Sequence, residues 1–292
     1  MSIVRYRDAA GRVEVGVRRG EGVHPLAGAS VASLLQLSTD ELRATLDDAA
    51  ATNAPLAFSE LELLAPIDGR TEVWGAGVTY IRSREARMEE SAFDRVYHDV
   101  YDADRPELFF KSPAWRVLGD GARGGMRHDS TDSIPEPEVA IVVNSCGEIV
   151  GGLICNDFTS RSIEAENPIY LPQAKTFTGS CALSSEIALW WELEHPEALT
   201  ISLDIRRSGS TWFEGSANTS AMKRSYQELL TWLFAATDFP DGVVLSTGTC
   251  VVPELGHSMI EGDEVIVRVD QLGSLTTTMA FAQRAAEPGA RA

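Results

Sequence analysis

The sequence predicts an α+β protein, most of which is a mixed β-roll or sandwich with mainly antiparallel strands. From Glu107 onward, short apolar runs separated by turn residues recur along the chain. A single helix-like stretch, MKRSYQELLTWLFAAT, interrupts them. The part before this region combines a hairpin pattern with a helix pattern. So many strands with so few helices are typical of a roll or sandwich.

The N-terminal part predicts a small α+β domain over residues 1–66. Residues 2–20 alternate apolar and polar side chains around the turn DAAG, which predicts a β-hairpin. Ser38, followed three residues later by Glu41, has the capping-box pattern of a helix start. We place the domain end at Pro66. Residues 67–284 would then form the larger β-roll domain, and residues 285–292 a disordered tail.

The larger domain begins with a predicted strand, TEVWGAGVTY, and a predicted charged helix over residues 83–104 that Pro106 ends. The strands predicted after it are ELFFK, EVAIVV, EIVGGLICND, EIALWWEL, TISLDIRRSG, STWFEGS and DEVIVRVDQLGSL.

The composition narrows the class of partner. The 292 residues include 43 acidic and 25 basic ones, which gives a formal net charge of -18. Such a surface repels nucleic acid and anionic membranes, so a small molecule is the expected ligand. The first residues lack the apolar segment of a signal peptide, and the four cysteines show no CxxC spacing. We therefore expect a cytoplasmic protein with free, buried thiols.

Two glutamates enter the core side by side in the stretch PEPEVAIVV. Residues two apart on a strand share a face, so Glu136 and Glu138 project together. Two buried like charges repel each other and lose their hydration, which costs several kcal/mol. We therefore expect either a cation between these side chains or their exposure to solvent.

The following turn, NSCG, predicts a hairpin that brings a third carboxylate to the same end. If Asn144 pairs with Gly147, Glu138 faces Leu153, and a bulge would bring Asp157 closer to the glutamates. Three converging carboxylates are suited to a hard divalent ion such as Mg²⁺, Mn²⁺ or Ca²⁺. The alternative is that the glutamates face solvent and Asp157 caps the next turn.

A lysine follows this predicted metal site. Lys175 lies eighteen residues after Asp157, beyond Pro168 and Pro172. A nearby cation and burial both favour the neutral amine of a lysine, which could then act as an acid or base. The alternative is an ordinary exposed lysine.

These motifs resemble the fumarylacetoacetate hydrolase superfamily over roughly residues 65–283. The matching stretches are ELFFKSP, EPEVAIVV, GGLICNDFTSR, QAKTF, LSTGTC and IEGDEVIVRVDQLGSL. The resemblance implies a mixed β-roll fold, with Glu136, Glu138 and Asp157 as ligands of Mg²⁺ or Mn²⁺. It also implies a homodimer or a dimer of dimers.

The sequence departs from the hydrolases of that superfamily. They carry an NYxxH segment whose His helps to activate water, whereas this chain has Thr79 and Ser83 at the Asn and His positions. The run from EPEVAIVV to YLPQAK instead resembles a branch that dehydrates 2-keto-3-deoxy-D-arabinonate. That resemblance implies a metal-dependent dehydratase of a 2-keto-3-deoxy-pentonate that forms 2,5-dioxopentanoate. The alternatives are an acylpyruvate-type C–C bond hydrolase and a non-catalytic, metal-bound dimer.

The resemblance also implies that Lys175 and Thr249 belong to the site, and the chemistry of the implied reaction suggests further roles for Glu107 and Arg84. Lys175 would bind the substrate and act as the base at C3, or as a cation that stabilises the enolate. Thr249 would hydrogen-bond the substrate carboxylate, and Glu107 would protonate the departing hydroxyl. Arg84 would contact substrate oxygens. A surface glutamate at position 107 and an exposed arginine at position 84 are the alternatives.

Overall fold

The computed structural model describes residues 1–90 and 94–282 of the chain. The strands of the N-terminal part are β1 (Ser2–Arg7), β2 (Val13–Arg19), β3 (Gly22–Pro25), β4 (Leu56–Ala57) and β5 (Glu62–Leu64). The next strands are β6 (Glu72–Gly77), β7 (Glu107–Pro113), β8 (Arg123–Met126), β9 (Ser133–Ile134), β10 (Pro137–Val143), β11 (Ile149–Asp157) and β12 (Thr159–Ser160). The last are β13 (Cys181–Leu183), β14 (Glu186–Leu189), β15 (Thr200–Arg207), β16 (Ser210–Asn218), β17 (Val243–Ser246), β18 (Glu264–Val269) and β19 (Gly273–Phe281).

The helices are short and lie between these strands. They are α1 (Val31–Leu34), α2 (Thr39–Thr52), α3 (Ile81–Glu90), α4 (Asp94–Asp102), α5 (Arg161–Glu166), α6 (Leu171–Lys175) and α7 (Tyr226–Leu233). Two helices, α3 and α4, occupy the region where a single helix was predicted. The predicted tail, residues 285–292, lies outside the described residues. None of the described helices has the length and apolar character needed to cross a bilayer.

The strands form a large mixed sheet, a smaller five-stranded sheet and a two-stranded sheet of β9 and β12, in keeping with the predicted α+β class. The larger sheet has the order β4-β3-β2-β1-β14-β11-β10-β17-β6-β7, with β13 paired to β11 and β5 paired to β1. The smaller sheet has the order β16-β15-β18-β19-β8. β17 pairs with β6 and β19 pairs with β8 in parallel, and the other pairs are antiparallel. The prediction of a mixed, mainly antiparallel roll is confirmed.

The N-terminal hairpin and helix form as predicted. β1 pairs with β2, and the Ser38 hydroxyl accepts a hydrogen bond from the Glu41 N–H in a complete capping box. β1 also pairs with β14, so the larger sheet continues across residue 66. Leu42 and Leu46 of α2 pack in the same apolar cluster as Val142 of β10. A separate domain over residues 1–66 therefore stays a prediction.

The hairpin of β10 and β11 packs against apolar clusters on both of its faces. The cross-strand partners Ala140 and Leu153 belong to the cluster that contains α2. The neighbouring pair, Val139 and Ile154, belongs to the cluster formed with strands of the smaller sheet. Burial on both faces explains why β10 is a continuous apolar run instead of an alternating one.

The larger sheet curls strongly in the region that contains these strands. β7 lies four positions from β11 in the strand order, which corresponds to roughly 19 Å in a flat sheet. The ammonium of Lys111 on β7 nevertheless forms an ion pair with the carboxylate of Asp157 on β11. The sheet must bend into a roll for these side chains to meet.

Candidate active site and metal centre

The turn between β10 and β11 sets the register of the predicted metal ligands, and that register differs from the predicted one. Glu138 lies opposite Cys155, not opposite Leu153. The predicted turn is too short by one residue, because the Asn144 N–H donates to the carbonyl of Glu148 at 3.0 Å.

A bulge in the same hairpin shifts the strands by a further residue. The register changes between Val142 and Val143. The two shifts bring Asp157 level with Glu136, and the Asp157 N–H donates to the Glu136 carbonyl at 3.0 Å. The expected effect of a bulge, to bring the third carboxylate closer, is therefore found in the structure.

Three carboxylates converge at the open end of this hairpin. Glu136, Glu138 and Asp157 each offer an oxygen, and these oxygens lie within 4.8 Å of one another. None of the three residues is more than 3% exposed. Buried negative charges at this separation need a cation, and an all-oxygen donor set suits Mg²⁺, Mn²⁺ or Ca²⁺. The residues present therefore fit a hard divalent ion.

Glu138 is fixed by the loop after β17. Its Oε2 accepts hydrogen bonds from the Ser246 hydroxyl and from the Gly248 N–H, the latter at 2.7 Å. Burial, followed by the charges of Asp157 and Glu136, raises the pKa of Glu138 to about 8. The carboxylate is thus held in place where a cation would favour its charged form.

Lys175, at the end of α6, points into this carboxylate cluster. Its ammonium donates to Oε2 of Glu136, to Oδ2 of Asp157 at 3.1 Å and to the Thr159 hydroxyl at 2.8 Å. Lys175 is 3% exposed, so the alternative of an ordinary exposed lysine does not apply to this structure.

A second lysine, which the sequence analysis did not single out, lies beside the first. Lys111 is fully buried, and its ammonium forms an ion pair with Oδ1 of Asp157. It also donates to the carbonyls of Phe158 at 3.0 Å and Lys175 at 2.6 Å. The register of β7 with β6 shifts at this residue, so strand alternation in the sequence could not predict where Lys111 points.

A cavity opens beside the carboxylate cluster, with about 340 Å³ of empty space that includes its mouth. Besides the three carboxylates and Lys175, its lining includes Ser83, Glu107, Phe109, Glu164, Leu171 and Thr249. Glu164 is 4% exposed and was also not singled out from the sequence.

The Glu107 side chain lies over Gly77 on the neighbouring strand, next to this cavity. Glu107 pairs with Gly77 of β6, where an added Cβ would lie 1.9 Å from the Glu107 Oε2. A side chain at position 77 would therefore displace the carboxylate. Thr249, in the loop after β17, is also buried in the cavity lining, and its hydroxyl donates to the Val251 carbonyl at 3.1 Å.

The structure brings together all predicted site residues except Arg84. The Arg84 guanidinium lies over the ring of Tyr101, 4.8 Å from its centroid, and Arg84 is not among the described residues that line the cavity. Its role in substrate binding stays a prediction. Ser83, at the position of the hydrolase His, faces the cavity and donates to the Tyr80 carbonyl at 2.9 Å.

Comparisons with known proteins identify related sequences and structures. A model of the fumarylacetoacetate (FAA) hydrolase C-terminal family matches residues 73–280. The chain is 41% identical over 252 residues to the "Probable 2-keto-3-deoxyxylonate dehydratase" of Haloferax volcanii, covering 86% of each chain. It is 40% identical over 224 residues to the "2-dehydro-3-deoxy-D-arabinonate dehydratase" of Saccharolobus solfataricus, covering 75% of each.

A solved structure with a bound ligand has the same fold. It is the "2-keto-3-deoxy-D-arabinonate dehydratase complexed with magnesium and 2,5-dioxopentanoate", with a TM-score of 0.80 and 30% sequence identity. The alignment covers 97% of this chain and all of the other.

Proposed function

The chain belongs to the fumarylacetoacetate hydrolase family, and from this membership we propose that it is a divalent-metal-dependent dehydratase of a 2-keto-3-deoxy-pentonate. The proposed substrate is 2-keto-3-deoxy-D-arabinonate and the proposed product is 2,5-dioxopentanoate. One observation carries the proposal: a buried carboxylate triad adjoins a buried lysine and a small cavity. The names of the relatives support the choice of substrate. The homodimer or dimer of dimers remains part of the proposal.

The two substrate names among the relatives are compatible for sugars of the D series. D-xylonate and D-arabinonate differ only in configuration at C2 and C3. Oxidation of C2 and loss of the C3 hydroxyl remove both differences, so the two 2-keto-3-deoxy acids are one compound. The proposal therefore specifies one configuration, that of the D acid at C4.

Glu136, Glu138 and Asp157 would hold the metal ion, for which we propose Mg²⁺ or Mn²⁺. When bound, such an ion neutralises the carboxylate of a keto acid, polarises its ketone and thereby acidifies the protons at C3. The cluster's burial excludes water, which strengthens these charge interactions.

Lys175 is the base that we propose for the C3 proton. Its amine nitrogen lies within the carboxylate cluster that would hold the metal ion. Loss of this proton and of the C4 hydroxyl is a β-elimination. Glu107, which also lines the cavity, would donate the proton with which the hydroxyl leaves as water.

The elimination product is 5-hydroxy-2-oxopent-3-enoate. Transfer of one hydrogen from C5 to C3 gives an enol, and transfer of the enol hydroxyl proton to C4 then yields 2,5-dioxopentanoate, so water is the only other product. Thr249, which lines the cavity from the loop after β17, would hydrogen-bond the substrate carboxylate. None of these steps requires an activated water, which is consistent with Ser83 at the hydrolase His position.

A substrate panel tests this proposal. Purified protein with Mg²⁺ or Mn²⁺ should release an aldehyde from 2-keto-3-deoxy-D-arabinonate, and a chelator should stop the release. The L enantiomer tests the configuration at C4, and an acylpyruvate tests hydrolysis. Cleavage of the acylpyruvate into two acids, without aldehyde from either pentonate, would show that the enzyme is a hydrolase and would overturn the proposal.

A further inference from the structure

We propose that Lys111 is a positioning residue, which fixes the metal ligand Asp157 and the catalytic lysine Lys175 relative to each other. The roles of Asp157 and Lys175 rest on the proposed function. The positioning itself rests on the contacts of a lysine that lies on a different strand from both.

Two hydrogen bonds and one ion pair surround the buried ammonium of Lys111. A fully buried ammonium costs several kcal/mol of desolvation unless acceptors surround it. The Lys111 ammonium donates hydrogen bonds to the carbonyls of Phe158 and Lys175, and its charge is compensated by an ion pair with the Asp157 carboxylate. An apolar side chain would fill the same space without this cost, so packing alone does not explain a lysine here.

The two oxygens of Asp157 have different partners. Oδ1 pairs with Lys111, and Oδ2 accepts a hydrogen bond from Lys175 at 3.1 Å. A carboxylate held from both sides cannot rotate freely about its last bond. Lys111 therefore sets the plane in which the other oxygen faces the candidate metal site.

Lys111 also holds the main chain of the catalytic lysine. The Lys175 carbonyl lies at the end of α6, where helix carbonyls lack partners within the helix, and it accepts from Lys111 at 2.6 Å. Displacement of this carbonyl would move the Lys175 amine with it. Since errors of about 1 Å in a reacting group can cost roughly 100-fold in rate, this contact bears directly on catalysis.

The test compares Lys111→Met with Lys223→Met. The chain contains only three lysines, and Lys223 lies outside the cavity lining and pairs with Asp102, which makes it a matched control. Mn²⁺ binding is measured by calorimetry, and steady-state kinetics are measured at saturating Mn²⁺. We expect K111M to raise the Mn²⁺ dissociation constant about 10- to 100-fold and to lower kcat about 10-fold or more, with little change in KM. K223M should leave these values within about twofold of the wild type.

The direction in which K111M changes the Mn²⁺ affinity distinguishes a positioning role of Lys111 from a purely electrostatic one. Loss of a nearby positive charge by itself would make Mn²⁺ bind more tightly. Unchanged or tighter Mn²⁺ binding by folded K111M would therefore overturn the proposal. A lower melting temperature with unchanged binding and kcat would also overturn it, because Lys111 would then be structural only.

A second variant, Lys111→Arg, keeps the proposal testable if K111M does not fold. Lys111→Arg keeps the charge but cannot direct one nitrogen at all three acceptors, so we expect it to fold with a kcat reduced several-fold. If K111R folds with wild-type metal affinity and kcat, or if neither variant folds, the proposal is wrong. Calorimetry needs no substrate, so this test stands even if the wild-type protein proves inactive on every pentonate.

Discussion

At the scale of single residues, the candidate site contains buried acidic and basic side chains whose charges largely offset one another. Glu136, Glu138 and Asp157 can contribute three negative charges, and Lys111 and Lys175 two positive ones. When Lys175 is the neutral amine that a base requires, Lys111 and a bound divalent ion would balance the charge of the three carboxylates.

Lys175→Met should abolish most turnover without abolishing metal binding. A general base contributes about 10²- to 10⁴-fold to a proton transfer, so we expect kcat to fall by that factor. The substitution also removes one competing cation from Glu136 and Asp157, so Mn²⁺ should bind at least as tightly as in the wild type. Steady-state kinetics and calorimetry measure the two effects, and turnover close to the wild-type rate would contradict the assigned role.

The sequence predicted some site residues and missed others for an identifiable reason. Glu136, Glu138 and Asp157 belong to one hairpin, so local spacing is enough to bring them together. Lys111 comes from a strand four positions away in the sheet. Its contact with Asp157 depends on the curl of the sheet, which no local pattern encodes.

At the scale of elements, the loop after β17 contacts both the candidate metal ligand Glu138 and Thr79, which lies between β6 and α3. Gly248 has φ of 96°, and an added Cβ would lie 1.9 Å from the Thr79 hydroxyl oxygen. The same residue donates its N–H to Glu138, and the Thr79 hydroxyl donates to the Thr247 carbonyl at 2.8 Å. A glycine is therefore needed here for conformation and for space.

Gly248→Ala should destabilise the fold and weaken metal binding. Overpacking and the left-handed conformation together should cost about 3 kcal/mol of unfolding free energy. Gly256→Ala is the matched control, since Gly256 has φ of 92° but nothing within 4 Å of an added Cβ. It should cost only about 1 kcal/mol. Equal losses in urea denaturation would show that the contact with Thr79 does not matter.

Asp241 connects the turn before β17 to the loop before β6, and it should make stability depend on pH. Hydrogen bonds from the Arg70 side chain and main chain lower the pKa of Asp241 to about 2, below its ordinary 3.8. Since the folded-state pKa is the lower one, the stabilisation is complete above the unfolded-state pKa and disappears as the pH falls through about 2.

Asp241→Asn isolates this contribution. Arg70 is largely exposed, so we expect a loss of only about 1 kcal/mol near neutral pH. The difference between wild type and variant in urea denaturation should shrink as the pH is lowered from about 5 towards 3. A difference that stays constant over this range would contradict the assignment.

The hairpin register shows the limit of prediction at this scale. The turn residues and the apolar run predicted the β10–β11 hairpin correctly. The predicted pairing differed by two residues, because Asn144 pairs with Glu148 and a bulge lies between Val142 and Val143. Turn length and bulges depend on tertiary contacts, and the sequence pattern is the same for either register.

At the scale of the whole molecule, the N-terminal strands and the site share one sheet. β1 pairs with β14, which pairs with β11, the strand that ends in Asp157. Ile3, Val15 and Leu46 are fully or almost fully buried in the cluster that also contains Leu153. The N-terminal part therefore covers one face of the hairpin that carries the metal ligands.

Deletion of residues 1–64 should prevent normal folding. The shortened chain would expose the edge of β14 and an apolar face of the sheet, which favours aggregation. Circular dichroism and gel filtration would detect this outcome. A cooperatively folded chain over residues 65–292 with wild-type metal affinity would instead support the predicted independent domain boundary at residue 66.

Because the chain contains few lysines, lysine acylation can report whether the carboxylate–lysine site is correctly folded. Two of the three lysines, Lys111 and Lys175, are buried in this site. Lys223 is the exception, with 34% of its side-chain surface exposed. An acylating reagent should therefore modify the native protein at Lys223 and the α-amino group, whereas a denatured chain would accept two further acyl groups. Mass spectrometry of a labelled sample would then count the fraction of correctly assembled molecules in any preparation.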